Sequence, residues 1–497
     1  MMYWFVEILL LILFLLYLVH LYISRNFDYW RKRNVPFIKP SPFVGNLMDV
    51  ILHKYDMAGF FEKIYNDMDV PFFGIFLFSK PALIIKDVNL MKHILVKDFD
   101  HFVDRVMYAS EHDPATAHML FIEKGDKWKT IRAKMSPYFS PSKVKTMFSA
   151  MDNLAISMCN HIVANKLVNL DVKDISSKFS VDLIAKCVFG IESKSLEIEN
   201  GEFLMIAQKI FDTRLITSFR YLCYFFFHSF VRIFKIKLFD PEVLNFLRTV
   251  FWECIRIREE DKIEGNDLMD IIVELRKNKE FCERTKFEGD AVIAQALIFF
   301  VAGFETTAST IAFTLYSLCL NPDIQRKLRK DIKDTIEKHD GKLTIESVGE
   351  MSYLDMVMKE TMRKYSPVPI IDRVCTRDYK IPSTDVIIEK GVVILLPVSG
   401  IQNDPRNFKE PEEYIPERFE SYKEDISYLS FGHGPRACIG RRFGLLATKL
   451  AIIRVLREFE VHSTDETPVP LLFNTKSTIP QPLEKLKMSF IATDPLF

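Results

Sequence analysis

Hydrophobic positions divide the chain into one unbroken apolar block and a long series of periodic ones. Residues 8–19 are continuously apolar, and residues 1–23 carry only Glu7 and His20 as polar interruptions. A helix of that length, rising about 1.5 Å per residue, reaches across a hydrocarbon core of about 30 Å. Arg25, Arg31, Lys32 and Arg33 follow at once, which assigns the remaining chain to the cytosolic side. A cleaved leader requires a basic start and small residues at the cut, and neither is present. Pro36, Pro40 and Pro42 come next, so a stiff hinge is expected between anchor and body. Behind it the apolar spacing turns helical, at 144–165, 180–188, 240–260, 291–320, 322–338 and 353–365. Short β-like runs occur near 72–77, 82–85, 379–381, 386–388 and 392–397. The expected architecture is mainly α with a small β-sheet region. It comprises a transmembrane anchor at 1–24, a basic, proline-rich hinge at 25–46 and one large domain over 47–497.

Composition narrows this only slightly. Lys plus Arg equals Asp plus Glu at 66 each, so bulk charge favours neither nucleic acid nor an acidic partner. The eight cysteines are scattered without a Cys-x-x-Cys pair, which is neither a zinc pattern nor a disulfide framework and suits a reducing compartment. Residues 219–239 interleave aromatic side chains with Arg220, His228, Arg232, Lys235 and Lys237. That mixture fits a lipid–water boundary, an aromatic core, or both on different faces.

The chemistry concentrates in residues 431–440, Phe-Gly-His-Gly-Pro-Arg-Ala-Cys-Ile-Gly. Glycine lets a backbone turn at positive φ and approach a flat ligand closely. A thiolate needs cations or N–H donors around it, and a loop of this kind can present Cys438 to a metal. A haem iron bound by one thiolate fits the arrangement. The stretch resembles the cysteine-ligand loop of the cytochrome P450 family, Phe-x-x-Gly-x-Arg-x-Cys-x-Gly, with Phe431, Gly434, Arg436, Cys438 and Gly440 filling every fixed position. The resemblance implies a single large helical fold behind the anchor, haem b as cofactor and Cys438 as its metal ligand.

The segment 291–320 reads as one apolar helix carrying Ala302-Gly303-Phe304-Glu305-Thr306-Thr307 in its interior. A glycine and a buried acid are both unfavourable there, so a local opening of the hydrogen-bond ladder is expected. Such an opening holds water and moves protons. It resembles the family's oxygen-activation motif, which implies Thr306 bonding the bound oxygen, Glu305 in a proton relay, and Gly303 leaving room for dioxygen. Glu360 and Arg363 lie three apart on one helical face, and Pro416-Glu417-Arg418-Phe419 follows. By resemblance Glu360, Arg363 and Arg418 form a buried structural triad behind the haem. Trp128 and Arg132, together with Arg373 and Arg436, match positions that hold haem propionates. Phe431 and Gly440 complete the cofactor contacts.

Substrate contacts are read from position relative to those motifs: residues 105–118, Phe299, Phe304, Val368, Ile370, Ile371 and residues 477–480. Lys124, Lys127, Lys129, Lys134, Arg441, Arg442 and Lys449 make either a docking patch for an acidic electron donor or a solvated helix surface. The resemblance implies an endoplasmic-reticulum enzyme that inserts one oxygen atom into lipophilic substrates. Its electrons would come from an NADPH-cytochrome reductase, with cytochrome b5 a further candidate donor. Residues 102–105, 113–118 and 301–306 resemble insect microsomal enzymes acting on plant toxins and insecticides. A biosynthetic hydroxylase of a steroid, terpenoid or fatty acid stays open. An oxygen-independent isomerase or dehydratase, and a haem-binding protein without turnover, are disfavoured by Thr306. Gln402-Asn403-Asp404-Pro405 departs from the family, where a histidine commonly replaces Gln402 or Asn403, and this puts local packing in question.

Overall fold

A computed structural model describes residues 2–260, 267–422 and 425–493. The initial apolar block forms α1 (Met2–Ser24), exposed along its length and long and apolar enough to cross a membrane. Eight further helices position the site: α2 (Gly125–Met135), α3 (Val172–Phe189), α4 (Leu215–Phe226), α5 (His228–Phe234), α6 (Asp290–Leu320), α7 (Ser352–Lys364), α8 (Val398–Gln402) and α9 (Arg441–Glu458). Helix α6 is the central rod of the largest core, and its apolar side chains are buried on nearly every side.

Among the described residues, nine short strands accompany the helices. They are β1 (Phe72–Leu77), β2 (Lys80–Ile85), β3 (Leu170–Asp171), β4 (Ile370–Val374), β5 (Tyr379–Lys380), β6 (Ile387–Ile388), β7 (Val393–Pro397), β8 (Phe459–Ser463) and β9 (Lys487–Ala492). The largest sheet runs β1-β2-β7-β4, with β2 and β7 parallel and the outer pairs antiparallel. A second sheet runs β3-β9-β8, and β5 pairs with β6.

Most helical expectations match to within a residue or two, with two differences. The 144–165 segment is two helices, Pro141–Thr146 and Phe148–Ala164. Helix α3 starts eight residues before the expected 180, because Asp171 caps it, accepting from Lys173 N at 3.1 Å and Asp174 N at 3.4 Å. In the 219–239 stretch Tyr224 and Val231 are buried, whereas Phe219, Phe230, Ile233 and Phe234 are exposed, as are Leu215 and Ile216 at the start of α4.

The expected hinge at 25–46 is instead packed onto the body. Trp30 is 1% exposed, and its Nε1 donates to Ile75 O at 3.1 Å. Phe37 bridges Gly74 and Gly45 bridges Leu77, extending the edge of β1. Tyr29 and Arg33 both bond the carboxylate of Glu389. Proline removed helical options from this segment, but its aromatic residues gave it a surface to bury. A Cβ built on Gly74 would lie 2.3 Å from the Trp30 ring. Gly74→Ala is therefore expected to destabilise the protein by about 1–3 kcal/mol, read as a lower melting temperature.

Candidate functional site

Residues 431–440 form a tight loop feeding α9. Cys438 N donates to Phe431 O at 2.8 Å, and Ala437 N donates to Gly434 O at 3.0 Å. Gly432 and Gly434 sit at φ of +65° and +72°. A Cβ on Gly434 would be 1.8 Å from Leu95 O, so no other residue fits that turn. Gly440 precedes α9 and its carbonyl accepts from Gly444 N at 2.8 Å. Cys438 lies deep in the protein, yet its side chain is accessible because it opens onto an internal cavity. Burial raises the thiol pKa, while the Gly440 N–H and the charges of Arg132, Arg105 and Arg441 pull the other way.

Four guanidinium groups line the cavity: Arg105, Arg132, Arg373 and Arg436. Arg132, on α2, donates through Nη2 to Ala437 O at 2.8 Å and so touches the cysteine loop directly. Arg436 lies 3.9 Å over the Trp128 ring and spreads its donors over backbone oxygens, Val103 O at 3.0 Å and Glu123 O at 2.6 Å among them. Arg373, on β4, is 1% exposed and donates through Nη1 to Asp372 O at 2.7 Å. Its buried Nε has no hydrogen-bond partner. Arg105 pairs with Asp372 at 3.1 Å. Burial and mutual repulsion pull Arg373 to about 9 and Arg436 to about 8. A guanidinium keeps its proton under such pressure, so the shifts register an excess of positive charge awaiting an anion. Arg105, expected among the substrate contacts, joins this cluster through Asp372 of β4, a partner 267 positions away that local sequence pattern does not signal.

Helix α6 passes the cavity without a break in its helical course, so the expected opening of its hydrogen-bond ladder is not found. Ser180 Oγ of α3 donates to Phe304 O at 2.8 Å and to Gly303 O at 3.3 Å, a side chain adding to the helix's own ladder. Thr306 lines the cavity and its Oγ1 donates to Ala302 O at 2.8 Å. Gly303 lines it too, and the space of its missing side chain is filled by Ile184, whose Cδ1 would be 2.4 Å from a Cβ there. Glu305 is absent from the lining. It points towards α3, where Lys173 Nζ pairs with it at 2.9 Å, and Ser309 Oγ donates to it at 3.0 Å.

Behind the loop, the three expected triad residues meet. Arg363 grips Glu360 through two donors, Nε at 2.8 Å and Nη2 at 3.0 Å, with both side chains fully buried. Arg418 Nε reaches the same carboxylate at 3.1 Å. Glu360 Oε1 also accepts from Ile415 N at 2.9 Å.

Of the substrate candidates, Phe299, Val368 and Ile371 line the cavity, as do Phe431 and Gly440. Phe304 and Ile370 do not, and both are corrections. Phe304 turns to the other side of α6 against Phe211, ring centroids 6.0 Å apart. Ile370 packs on the sheet-side cluster with Val393 and Leu395. From 105–118 only Arg105 reaches the cavity, and 477–480 stay outside it. Of the surface cations singled out in the sequence, Lys127 pairs with Glu123, Lys129 with Asp100 and Lys449 with Asp355. Among the described residues no cluster of three or more His, Cys, Asp or Glu side chains can hold a metal ion.

A thiol on one wall and an unpaired arginine donor within a cationic cluster fit a flat, dianionic, iron-bearing ligand. A haem propionate is the kind of group that Arg373 Nε lacks. The arrangement defines a helical haem-thiolate oxidoreductase. The cytochrome P450 profile matches residues 35–489. The chain is 38% identical over 495 residues to cytochrome P450 6k1 of Blattella germanica, covering 95% of this chain and 94% of that protein. It is 38% identical to cytochrome P450 6j1 of the same species over 92% of each chain. It is 34% identical to cytochrome P450 6a2 of Drosophila melanogaster over 96% of this chain and 97% of that protein. The chain belongs to the cytochrome P450 family and is a haem-thiolate monooxygenase.

Proposed function

We propose that the protein is a membrane-anchored monooxygenase that oxidises lipophilic, uncharged compounds such as plant toxins or insecticides with NADPH-derived electrons. The observation carrying this is the cavity itself, with the Cys438 thiol on one wall and Thr306 in an otherwise apolar wall of Phe299, Ile184, Val188 and Val368. Cys438 would ligate the iron, and Arg132, Arg373 and Arg436, with Trp128, would hold the propionates. When bound, haem supplies the redox chemistry that activates dioxygen. The chain's own groups then set the environment. The apolar wall excludes water and selects lipophilic substrates. The Thr306 hydroxyl, now resting on Ala302 O, is the proton donor nearest the reacting centre. Glu305, locked on Lys173, supports proton supply from the far side of α6 and reaches the cavity only after leaving that pair.

Helix α1 and the exposed apolar residues of α4 and α5 support attachment to a lipid surface, and the basic residues after α1 support a cytosolic body at the endoplasmic reticulum. Membership of the family supports a separate reductase as electron source, with cytochrome b5 as a second donor. Reconstitution in vesicles decides this: turnover of a lipophilic test compound should require NADPH, reductase and dioxygen together. Turnover without reductase would overturn the electron route, and exclusive turnover of one endogenous lipid would overturn the detoxifying role. Thr306→Ala should lower product formation by roughly 10²-fold or more. Spectral binding of the compound should change little, because alanine keeps that part of the wall and loses only the hydroxyl.

A further inference from the structure

Gln402 lies in the Gln402-Asn403-Asp404-Pro405 stretch where the sequence departs from its family, and the structure gives it a defined task. It ends α8, is 0% exposed, and joins three segments that surround the cavity. Its Nε2 donates to Met362 O at 3.2 Å and Arg363 O at 3.0 Å, the last turn of α7. Its Oε1 accepts from Leu429 N at 2.7 Å and Ser430 Oγ at 3.2 Å. Leu429 and Ser430 are cavity wall, immediately before Phe431. Its backbone oxygen accepts from Arg363 Nη1 at 3.0 Å. Two carbonyls on one side and the Leu429 N–H on the other leave the amide a single orientation, while the single Ser430 proton is shared between Oε1 and Met362 O at 3.1 Å.

The Glu360–Arg363–Arg418 cluster bonds the 409–415 segment and Gln402, while the run into the cysteine loop is bonded by Gln402 in turn. We propose that Gln402 is a positioning residue for the axial thiolate, carrying the geometry of the buried ion cluster into Leu429 and Ser430 and so fixing how Cys438 meets the haem. This rests on the haem-thiolate reading above. A histidine offers one donor and one acceptor in neutral form, half of what glutamine supplies here. Leucine fills the same space and supplies neither, leaving buried groups unpaired on both sides.

The test uses the purified, haem-loaded full chain. Reduced protein under carbon monoxide is followed for conversion of its red-shifted, thiolate-type Soret band into the shorter-wavelength band of a lost or protonated thiolate. Gln402→Leu should convert roughly tenfold faster than wild type at unchanged far-UV circular dichroism, the rate equivalent of about one unpaired buried polar group. Gln402→His should recover part of the difference. A Gln402→Leu protein that converts at the wild-type rate overturns the proposal, as does a lowered melting temperature with no change in conversion. If Gln402→Leu does not fold, Gln402→Met carries the test, since its flexible side chain fills the same space and removes the same amide contacts. Faster conversion supports the proposal, and a wild-type rate overturns it. A wild-type protein lacking the thiolate-type band would fail the haem-thiolate reading itself, which separates the two failures.

Discussion

Glu360→Ala is expected to yield protein that folds poorly and retains little haem. The substitution strands the Arg363 and Arg418 guanidiniums, of which Arg363 is wholly out of solvent. Removing one partner of a buried pair costs about 3–5 kcal/mol, because the other charge stays desolvated. A domain is stable by only about 5–15 kcal/mol in all, so the loss is a large share. Arg363→Ala should do comparable damage by a different route. It frees Glu360 from two donors and also deprives Gln402 O, Pro411 O and Glu413 O of theirs. Thermal unfolding and the haem-to-protein ratio read both effects. A Glu360→Ala protein with wild-type melting and full haem would sink the view that the cluster braces the site.

Cys438→Ala separates ligation from folding. The thiol opens onto the cavity and is braced through its backbone, so its removal should leave the melting of the haem-free chain nearly unchanged. Haem affinity should fall by more than about 100-fold, since even outer-shell changes at metal sites cost about 10–100-fold. Whatever haem stays should lack the thiolate-type band under carbon monoxide, and monooxygenase turnover should vanish. Retention of that band would require another sulfur ligand. The other cysteines are a poor source: Cys159, Cys187 and Cys319 are buried, and burial pushes the Cys187 and Cys319 thiols up to about 12.

The long helices were legible because apolar spacing persists over many turns, and the cysteine loop because its glycines have no substitute. Strand β4 was missed, since its sequence is Ile-Ile-Asp-Arg-Val. Two charged residues broke the apolar run, yet both are buried: Asp372 accepts from Val106 N at 2.6 Å and Arg373 faces the cavity. A site's charges hid the strand that carries them. Glu305 shows the opposite case, where the motif was found but its direction was not. Residues 299, 302, 303, 306 and 310 recur at helical spacing and all line the cavity. Phe304 and Glu305 lie off that face, about 200° and 100° round the helix from Thr306. Helical periodicity alone would have turned both away. The docked 25–46 segment was illegible for another reason, since burial of Trp30 depends on Gly74, far along the chain.

The crowding of Arg105, Arg132, Arg373 and Arg436 has a consequence for the life of the protein in a cell. Like charges gathered in a dry interior oppose folding, and a bound dianion removes that opposition. Ligand that binds only the folded chain adds stability in step with its concentration. The share of this enzyme that survives as folded protein is therefore expected to follow haem supply as well as its own synthesis, and chains held in a haem-depleted mixture should be degraded faster than haem-loaded ones.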